Sequence, residues 1–284
     1  MSYAAHATEG LDAAALIASA GIDRSDARIL LAHATGLSRE RLVTAPANFA
    51  DAEALACFRA LVARRAAGEP VAYLTGVRAF HGRNFAVTQE VLIPRPETEL
   101  LVDLALDFMR CSAKRTPRVL DLGTGSGALA ITLLLEAPHV QMSATDISAA
   151  ALEVARANAE RFSVALKWIA SDWFAALEGS EERFDLIVAN PPYIAAGDPH
   201  LEVGDLRFEP SVALTDGADG LAAIRAITRA APRFMAPGAT LLVEHGWDQA
   251  ASVRALLLDA GLIAVASHRD LAGIERVVAG TRQP

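Results

Sequence analysis

The chain has little cysteine. Its 284 residues include two, Cys57 and Cys111, far apart and in no metal-binding or redox spacing. A disulfide framework is therefore not expected, and the composition suits a cytoplasmic protein. Cys57 shares a helical face with Ala54 and Leu61, so a place in the core is expected for it. The seven histidines are scattered and suggest no metal site. Hydrophobic residues make up 52% of the chain, but alanine inflates that figure. No stretch approaches the ~18 consecutive apolar residues of a membrane span. Met1 to Gly10 has neither a basic start nor an apolar core, so no signal peptide is expected. The Walker pattern G-x-x-x-x-G-K-[ST] is absent, which argues against nucleoside triphosphates. Excess positive charge is also missing: the formal net charge is −8. Residues 1–97 carry 10 Arg, no Lys and 10 Asp or Glu, while residues 98–284 carry 16 basic and 24 acidic side chains. Proteins that track nucleic acid usually present a basic surface, so no direct nucleic-acid binding is expected. One local basic group remains, Arg59, Arg64 and Arg65 on a single helix. It reads equally well as a solvated face or a partner contact.

What is present organises itself plainly. The length fits one large and one small domain. Residues 1–70 are rich in alanine and leucine at helical spacing. Asp26 to Ala34 is predicted as one helix, ended by Gly36. Ala52 to Ala67 is another, stopped by Gly68-Glu69-Pro70. Tyr73 to Pro94 alternates loosely around Gly76 and Gly82 and reads as a connecting strand pair. A helix over Glu97 to Met109 then opens a region where strands and helices alternate, which predicts a parallel sheet covered on both faces. Seven strands are expected near 118–122, 140–145, 165–170, 184–189, 239–244, 262–267 and 274–279. The expected domains are a helical one over 1–72, a β-hairpin linker over 73–96 and an α/β domain over 97–284.

Two segments carry chemistry. The first, Asn190-Pro191-Pro192-Tyr193, follows the apolar run Phe184 to Ala189. Asn190 offers a side-chain carbonyl. Pro191 offers a backbone carbonyl and has no N–H. Pro192 holds Pro191 extended and so fixes where that carbonyl points. Two acceptors can bind both hydrogens of a planar NH2 group, and the Tyr193 ring can pack on it. A plain turn is the competing reading, since Asn-Pro often starts one. The second segment runs from Val119 through Asp121 to Gly123-Thr124-Gly125-Ser126-Gly127, then Ala128 to Ile131. A strand enters a glycine-rich turn that opens a helix, which lets a ligand approach the backbone closely. The next strand, Val140 to Thr145, ends in Asp146, placed to accept hydrogen bonds from ribose hydroxyls. Ser148 is a competent helix cap, which leaves Asp146 for that task. Asp121 reads equally well as ordering the turn or contacting a cofactor amino group. The glycines run G-x-G-x-G, unlike the G-x-G-x-x-G of dinucleotide binders. Ligands of such sheets sit beyond the carboxyl ends of the strands. That rule gathers Gly123 to Gly127, Asp146, Asp172 with Trp173, and Asn190.

Asp121 to Gly127, read as Asp-x-Gly-x-Gly-x-Gly, resembles motif I of the S-adenosylmethionine-dependent methyltransferases. Leu92-Ile93-Pro94-Arg95-Pro96-Glu97-Thr98-Glu99, Ser171-Asp172-Trp173-Phe174, Asn190-Pro191-Pro192-Tyr193, Arg207-Phe208-Glu209-Pro210 and Glu244-His245-Gly246 all occur, in that order. Together they closely resemble the peptide chain release factor glutamine N5-methyltransferases. The resemblance implies an α/β fold, a seven-stranded Rossmann-like class I methyltransferase sheet ending in an antiparallel hairpin, with a small all-α N-terminal domain joined by a β-hairpin linker. It implies S-adenosyl-L-methionine as cofactor, leaving as S-adenosyl-L-homocysteine. The turn Gly123, Thr124, Gly125, Ser126, Gly127 would wrap its methionine part, Asp146 its ribose, and Asp172 with Trp173 its adenine. Asn190, Pro191, Pro192 and Tyr193 would hold the substrate, the glutamine of a Gly-Gly-Gln motif in class-1 release factors. No membrane partner is implied.

The remaining candidates divide. Arg95, Glu97 and Glu99 read as an ion-pair buttress or a partner contact. Arg207 and Glu209 lie in the long segment 194–213, a lid or a substrate groove. His245 is a structural histidine more often than a general base. Three rival functions stay open on the residues alone: a nucleic-acid amino methyltransferase, a glutamine methyltransferase of a ribosomal protein, and a non-catalytic cofactor binder.

Overall fold

A computed structural model describes residues 12–46, 49–112 and 114–284; the expectation for Met1 to Gly10 lies outside them. The chain divides into two compact units, Met1–Gly76 and Val77–Pro284.

The first unit is helical: α1 (Ala13–Ser19), α2 (Arg24–Thr35), α3 (Arg39–Val43), α4 (Ala52–Ala66) and α5 (Val71–Thr75). Four of the five begin on a side chain that accepts a free backbone N–H, namely Asp12, Asp23, Ser38 and Asp51. Gly36 ends α2 in the left-handed conformation, φ 67°. Leu16, Leu30, Leu31, Phe58, Leu61 and Leu74 form the core. Cys57 is exposed, contrary to expectation. The buried face of α4 is centred on Phe58 and Leu61, with Leu55 and Val62 beside them, and Cys57 lies outside that stripe. The three arginines are not one open patch: Arg65 pairs with Asp26 at 2.7 Å and Arg64 with Glu69 at 2.5 Å. The strand pair expected from Tyr73 starts later, because Val71–Thr75 adds a helical turn ended by Gly76 at φ 70°.

The second unit opens with a hairpin, β1 (Val77–Phe80) against β2 (Arg83–Ala86). A short 3-10 turn over Pro96–Thr98 leads into α6 (Glu99–Cys111). There follow β3 (Arg118–Leu122), α7 (Ala128–Glu136), β4 (Gln141–Asp146), α8 (Ala149–Arg161), β5 (Lys167–Ala170), β6 (Phe184–Ala189), α9 (Ser211–Leu214), α10 (Ala222–Phe234), β7 (Met235–Glu244), α11 (Ala250–Asp259), β8 (Ile263–Arg269) and β9 (Glu275–Thr281). All seven strands expected after residue 97 are present, with ends shifted by a few residues. Their order is β5-β4-β3-β6-β7-β9-β8. β3 to β7 are parallel, and β9 runs antiparallel to both neighbours.

Both faces are covered, so β6 is buried at every residue. Side chains alternate between the faces. Val119, Leu186 and Val188 pack with α6 and α7, while Leu120, Ile187 and Leu241 pack with α10 and α11. From β3 the chain moves outward through β4 to β5, then returns to lay β6 on the other side of β3. That reversal opens a crevice beyond the carboxyl ends of β3 and β6. The glycine turn leaves one of these strands and Asn190 leaves the other.

Candidate active site

The glycine turn joins β3 to α7 with three left-handed residues, Gly123, Gly125 and Gly127, at φ 71°, 55° and 78°. At Gly127 space is also short: a Cβ would stand 2.9 Å from the Ile131 methyl and 3.1 Å from Ala155. The N–H groups of Gly123 and Thr124 both donate to the Thr145 carbonyl at 2.9 Å. Thr124 Oγ1 donates to Asp121 Oδ2 at 2.6 Å, so Asp121 does order the turn. Burial pushes the Asp121 carboxyl up to about 7, and the charge of Asp146 adds to the effect.

Asp146 ends β4 and lines the crevice. Its Oδ2 accepts the Gly125 N–H at 2.8 Å and its Oδ1 the Ser148 N–H at 2.9 Å. Ser148 caps α8 as expected, accepting from Ala151 at 3.1 Å, but it also occupies Asp146. Each carboxylate oxygen keeps a second lone pair for a ligand. Burial raises the Asp146 pKa as well. A buried acid, Asp121, and a half-buried one, Asp146, with no basic side chain contributing to either shift suit a ligand that brings positive charge and hydroxyl donors.

Trp173 has φ 46°, a strained conformation for an aromatic residue. Its ring passes 3.3 Å from where a Cβ on Gly123 would sit, so the missing side chain makes room for the indole. Gly123, Gly125, Asp146, Asp172, Trp173 and Asn190 line one cavity of about 380 Å³. That is the size of a small-ligand site. A separate cavity of about 60 Å³ is lined by Asp121, Thr124 and Ser126 and shares Gly123, Gly125 and Asn190 with the first.

A second cavity of about 330 Å³ shares Asn190, Leu92 and Ala213 with the first and is lined also by Pro191, Tyr193, Arg95, Asp205 and Leu206. Asn190 is thus a wall of both. Its Nδ2 donates to Thr98 Oγ1 at 3.0 Å, which leaves Oδ1 as its acceptor. Tyr193 donates its hydroxyl to Glu244 Oε1 at 3.4 Å. Burial and the Glu244 charge hold that hydroxyl protonated. The Tyr193 carbonyl accepts from Gln249 Nε2 at 3.0 Å, and the same amide also reaches the Gly220 carbonyl at 3.1 Å.

The motif residues around the second cavity are struts. The Glu209 side chain is fully buried. It accepts the Ile93 N–H at 3.0 Å and Arg95 Nη2 at 2.5 Å, tying the 92–96 stretch to the far end of the 194–213 segment. Glu99 accepts the His81 N–H at 2.8 Å and so anchors the hairpin. The Arg207 guanidinium lies 4.9 Å from the Phe208 ring centre. His245 is buried, lines none of these three cavities, and its ring Nδ1 donates to the Gly246 carbonyl at 2.7 Å. Desolvation lowers its pKa.

Two residues of the site escaped the sequence reading. Asn158 is fully buried and joins β2 to the glycine turn: it accepts the Ala86 N–H and donates to the carbonyls of Ala86 and Ser126 at 2.9 Å. Its signal was a polar residue on the apolar stripe Ala151, Leu152, Ala155 and Ala159 of α8. Gln249 carried no signal. Among the described residues no cluster of side chains could hold a metal ion, and no helix is long and apolar enough to cross a membrane.

Comparison with known proteins bears on family and fold. The family described as methyltransferase small domain matches residues 98–213, and the one described as PrmC N-terminal domain matches residues 11–76. A release factor glutamine methyltransferase of Bordetella pertussis is 52% identical over 93% of this chain and 97% of its own length. One from Burkholderia pseudomallei is 54% identical over 94% and 95%. Among solved structures, a methyltransferase from Pyrococcus furiosus superimposes with a TM-score of 0.53 at 16% identity, over 78% of this chain and 98% of that one. The 16S rRNA N2 G1207 methyltransferase of Thermus thermophilus, solved with AdoMet and guanosine, gives 0.53 at 20% identity, over 73% and 50%. These two likenesses speak to the fold.

Proposed function

The chain belongs to the family of release factor glutamine methyltransferases, and on that premise we propose how its residues perform the reaction. It is an S-adenosylmethionine-dependent enzyme that methylates the side-chain nitrogen, N5, of a glutamine in release factors. The observation that carries the assignment of residues is that Asn190 lines both cavities and is, of the residues they share, the one with a polar side chain. The cavity with the glycine turn, Asp146, Asp172 and Trp173 takes the cofactor. The cavity with Pro191, Tyr193 and Arg95 takes the glutamine of the Gly-Gly-Gln motif of class-1 release factors.

When bound, S-adenosylmethionine supplies an electrophilic methyl group on a sulfonium. An amide nitrogen is a weak nucleophile, because its lone pair is delocalised into the carbonyl. The protein's task is to hold that nitrogen in line. Asn190 Oδ1 and the Pro191 carbonyl accept its two hydrogens, and Tyr193, kept neutral, packs on the amide plane. Such positioning can supply about 7–11 kcal/mol of the barrier. As the nitrogen takes up the methyl its hydrogens grow more acidic. The two acceptors therefore bind the transition state more tightly than the ground state. A proton then leaves to water.

Residues 1–72 are assigned to reading the release factor, supported by the family match over 11–76. The setting is the cytoplasm, where release factors work. The test supplies methyl-labelled cofactor with a release factor and with its Gly-Gly-Gln glutamine changed to alanine. Label on the first alone supports the reading. Label on both, or only on nucleic acid or ribosomal protein, overturns the substrate assignment.

A further inference from the structure

Proline has no N–H, so the clamp from Asn190 to Tyr193 offers its surroundings no donor at Pro191 or Pro192. The grip comes at its end, on the peptide between Tyr193 and Ile194. The Ile194 N–H donates to the Leu214 carbonyl at 3.0 Å, and the Tyr193 carbonyl accepts from Gln249 Nε2 at 3.0 Å. That peptide plane is fixed at both of its polar ends. Gln249 stands at the N-cap position of α11, yet its side chain does not cap that helix. It serves three backbone groups of other turns. Oε1 accepts the Gly246 N–H at 2.9 Å, and Nε2 donates to the carbonyls of Tyr193 and Gly220, the second at 3.1 Å. A backbone N–H can only donate and a backbone carbonyl can only accept, so these partners leave the amide one orientation.

Gly220 presses on the same carbonyl. It has φ 77°, and a Cβ on it would stand 2.5 Å from the Tyr193 oxygen and 2.9 Å from Gln249 Nε2. The turn that holds Gly220 also belongs to the cofactor side. Asp216 lines the first cavity and accepts the Gly220 N–H at 3.0 Å and the Ala222 N–H at 2.6 Å. Ala222 lines the same cavity. One side-chain amide thus joins the last residue of the clamp to a wall of the cofactor cavity, while Gln249 itself lines neither cavity.

We propose that Gln249 is a positioning residue for methyl transfer: its NH2 group, shared between the Tyr193 and Gly220 carbonyls, holds the substrate clamp in register with the cofactor cavity. The proposal rests on the reading of Asn190 and Pro191 as acceptors for the glutamine amide. In-line attack depends on where the clamp sits relative to the methyl donor, and a misplacement of about 1 Å can cost ~10²-fold in rate. Without the NH2, two carbonyl oxygens approach the same space with no donor between them, and their repulsion moves the Tyr193 end of the clamp. The competing role is local: Gln249 would merely close the bend before α11 by accepting the Gly246 N–H.

The test separates the two with the full chain, a release factor and labelled cofactor. At pH 8 a glutamate side chain is ionised, so Gln249→Glu keeps the shape and the acceptor for Gly246 but loses the NH2. Gln249→Met loses both. Each should lower kcat about 10- to 100-fold. Cofactor affinity by calorimetry, and KM for the release factor, should stay within about threefold, since Gln249 lines neither cavity. The calorimetric stoichiometry counts the folded sites, so a loss of folded protein is not read as a loss of kcat. Gly220→Ala pushes on the Tyr193 oxygen from the other side and should show the same split; it decides if the Gln249 variants do not fold. Near-normal kcat in Gln249→Glu beside a slow Gln249→Met assigns Gln249 the local role and overturns the proposal. Near-normal kcat in both, or a fall in cofactor affinity as deep as the fall in kcat, overturns it as well. Failure of the unaltered chain to label the glutamine overturns the functional reading, and the proposal with it.

Discussion

The two cavities that meet at Asn190 are built by different means. The cofactor side is made of local structure: a turn of left-handed glycines after β3, and Asp146 fastened to the backbone of Gly125 and Ser148. The substrate side is held by side chains far apart in the chain. Ile93 and Glu209 are 116 residues apart, Asn190 and Thr98 92, Tyr193 and Gln249 56. The first needs the neighbouring strands β3, β4 and β5 with the turns that follow them. The second exists only once the whole sheet has closed. Damage to the struts should therefore fall on the protein substrate and spare the cofactor, and damage to the glycine turn should do the reverse.

The largest effect is expected where the two sides meet. Asn190→Ala should lower kcat by about 10²–10³-fold, as the loss of one preorganised transition-state contact does elsewhere. Single-turnover methyl transfer measures it, and a near-normal rate would remove Asn190 from the reaction. Next comes the Glu209 strut. Glu209→Ala leaves the Ile93 N–H and part of Arg95 without their acceptor. Losing a partner of a buried pair costs about 3–5 kcal/mol; with Arg95 partly exposed, ~2–3 kcal/mol of stability is expected. Urea unfolding checks the first part. For the second, KM for the release factor should rise while cofactor affinity holds; an equal loss on both sides would erase the distinction between the cavities.

The same contrast explains what was legible in the sequence. Gly123 to Gly127, Asp146 and Asn190 could be placed beside one another from strand order and the carboxyl-end rule, because each sits at the end of a strand whose apolar pattern is plain. The roles of Arg95, Thr98, Glu209 and Glu244 could not. Nothing local says that Glu209 reaches Ile93, or that Thr98 rather than water receives the Asn190 amide. Cys57 failed for a related reason: α4 offers apolar residues on more than one side, and the packing partners decided that Phe58 and Leu61 face inward. Val71–Thr75 failed because five residues are too few for periodicity to separate a helical turn from a strand.

A smaller effect should come from the turn itself. Gly127→Ala meets both a positive φ and two neighbours at 2.9 and 3.1 Å, whereas Gly125→Ala meets open space and only the φ of 55°. Strain of about 1–3 kcal/mol is expected at the first site and the lower end of that range at the second. Calorimetric titration with S-adenosylhomocysteine should therefore rank Gly127→Ala as the weaker binder. The reverse ranking would mean that steric room around the turn does not govern the cofactor side.

The smallest effect is one of pH, and on cofactor affinity it is expected through Asp121, although burial raises Glu244 on the substrate side to about 7 as well. Asp121 titrates near 7 because burial penalises its charge. Between about 4 and about 7 the folded chain holds a proton there that the unfolded chain has lost, so this contribution to stability fades as pH rises through that window. A cationic ligand has the opposite preference, since it favours the ionised acid. Cofactor affinity should thus tighten as pH goes from 6 to 8, by at most about tenfold per unit, while the Tm of the ligand-free chain falls. Asp121→Asn cannot ionise and should flatten the affinity profile and reduce the fall in Tm. Calorimetry and thermal unfolding at pH 6, 7 and 8 read both. A profile equally steep in Asp121→Asn would show that the charge sensed by the cofactor lies elsewhere, with Asp146 the next acid in line.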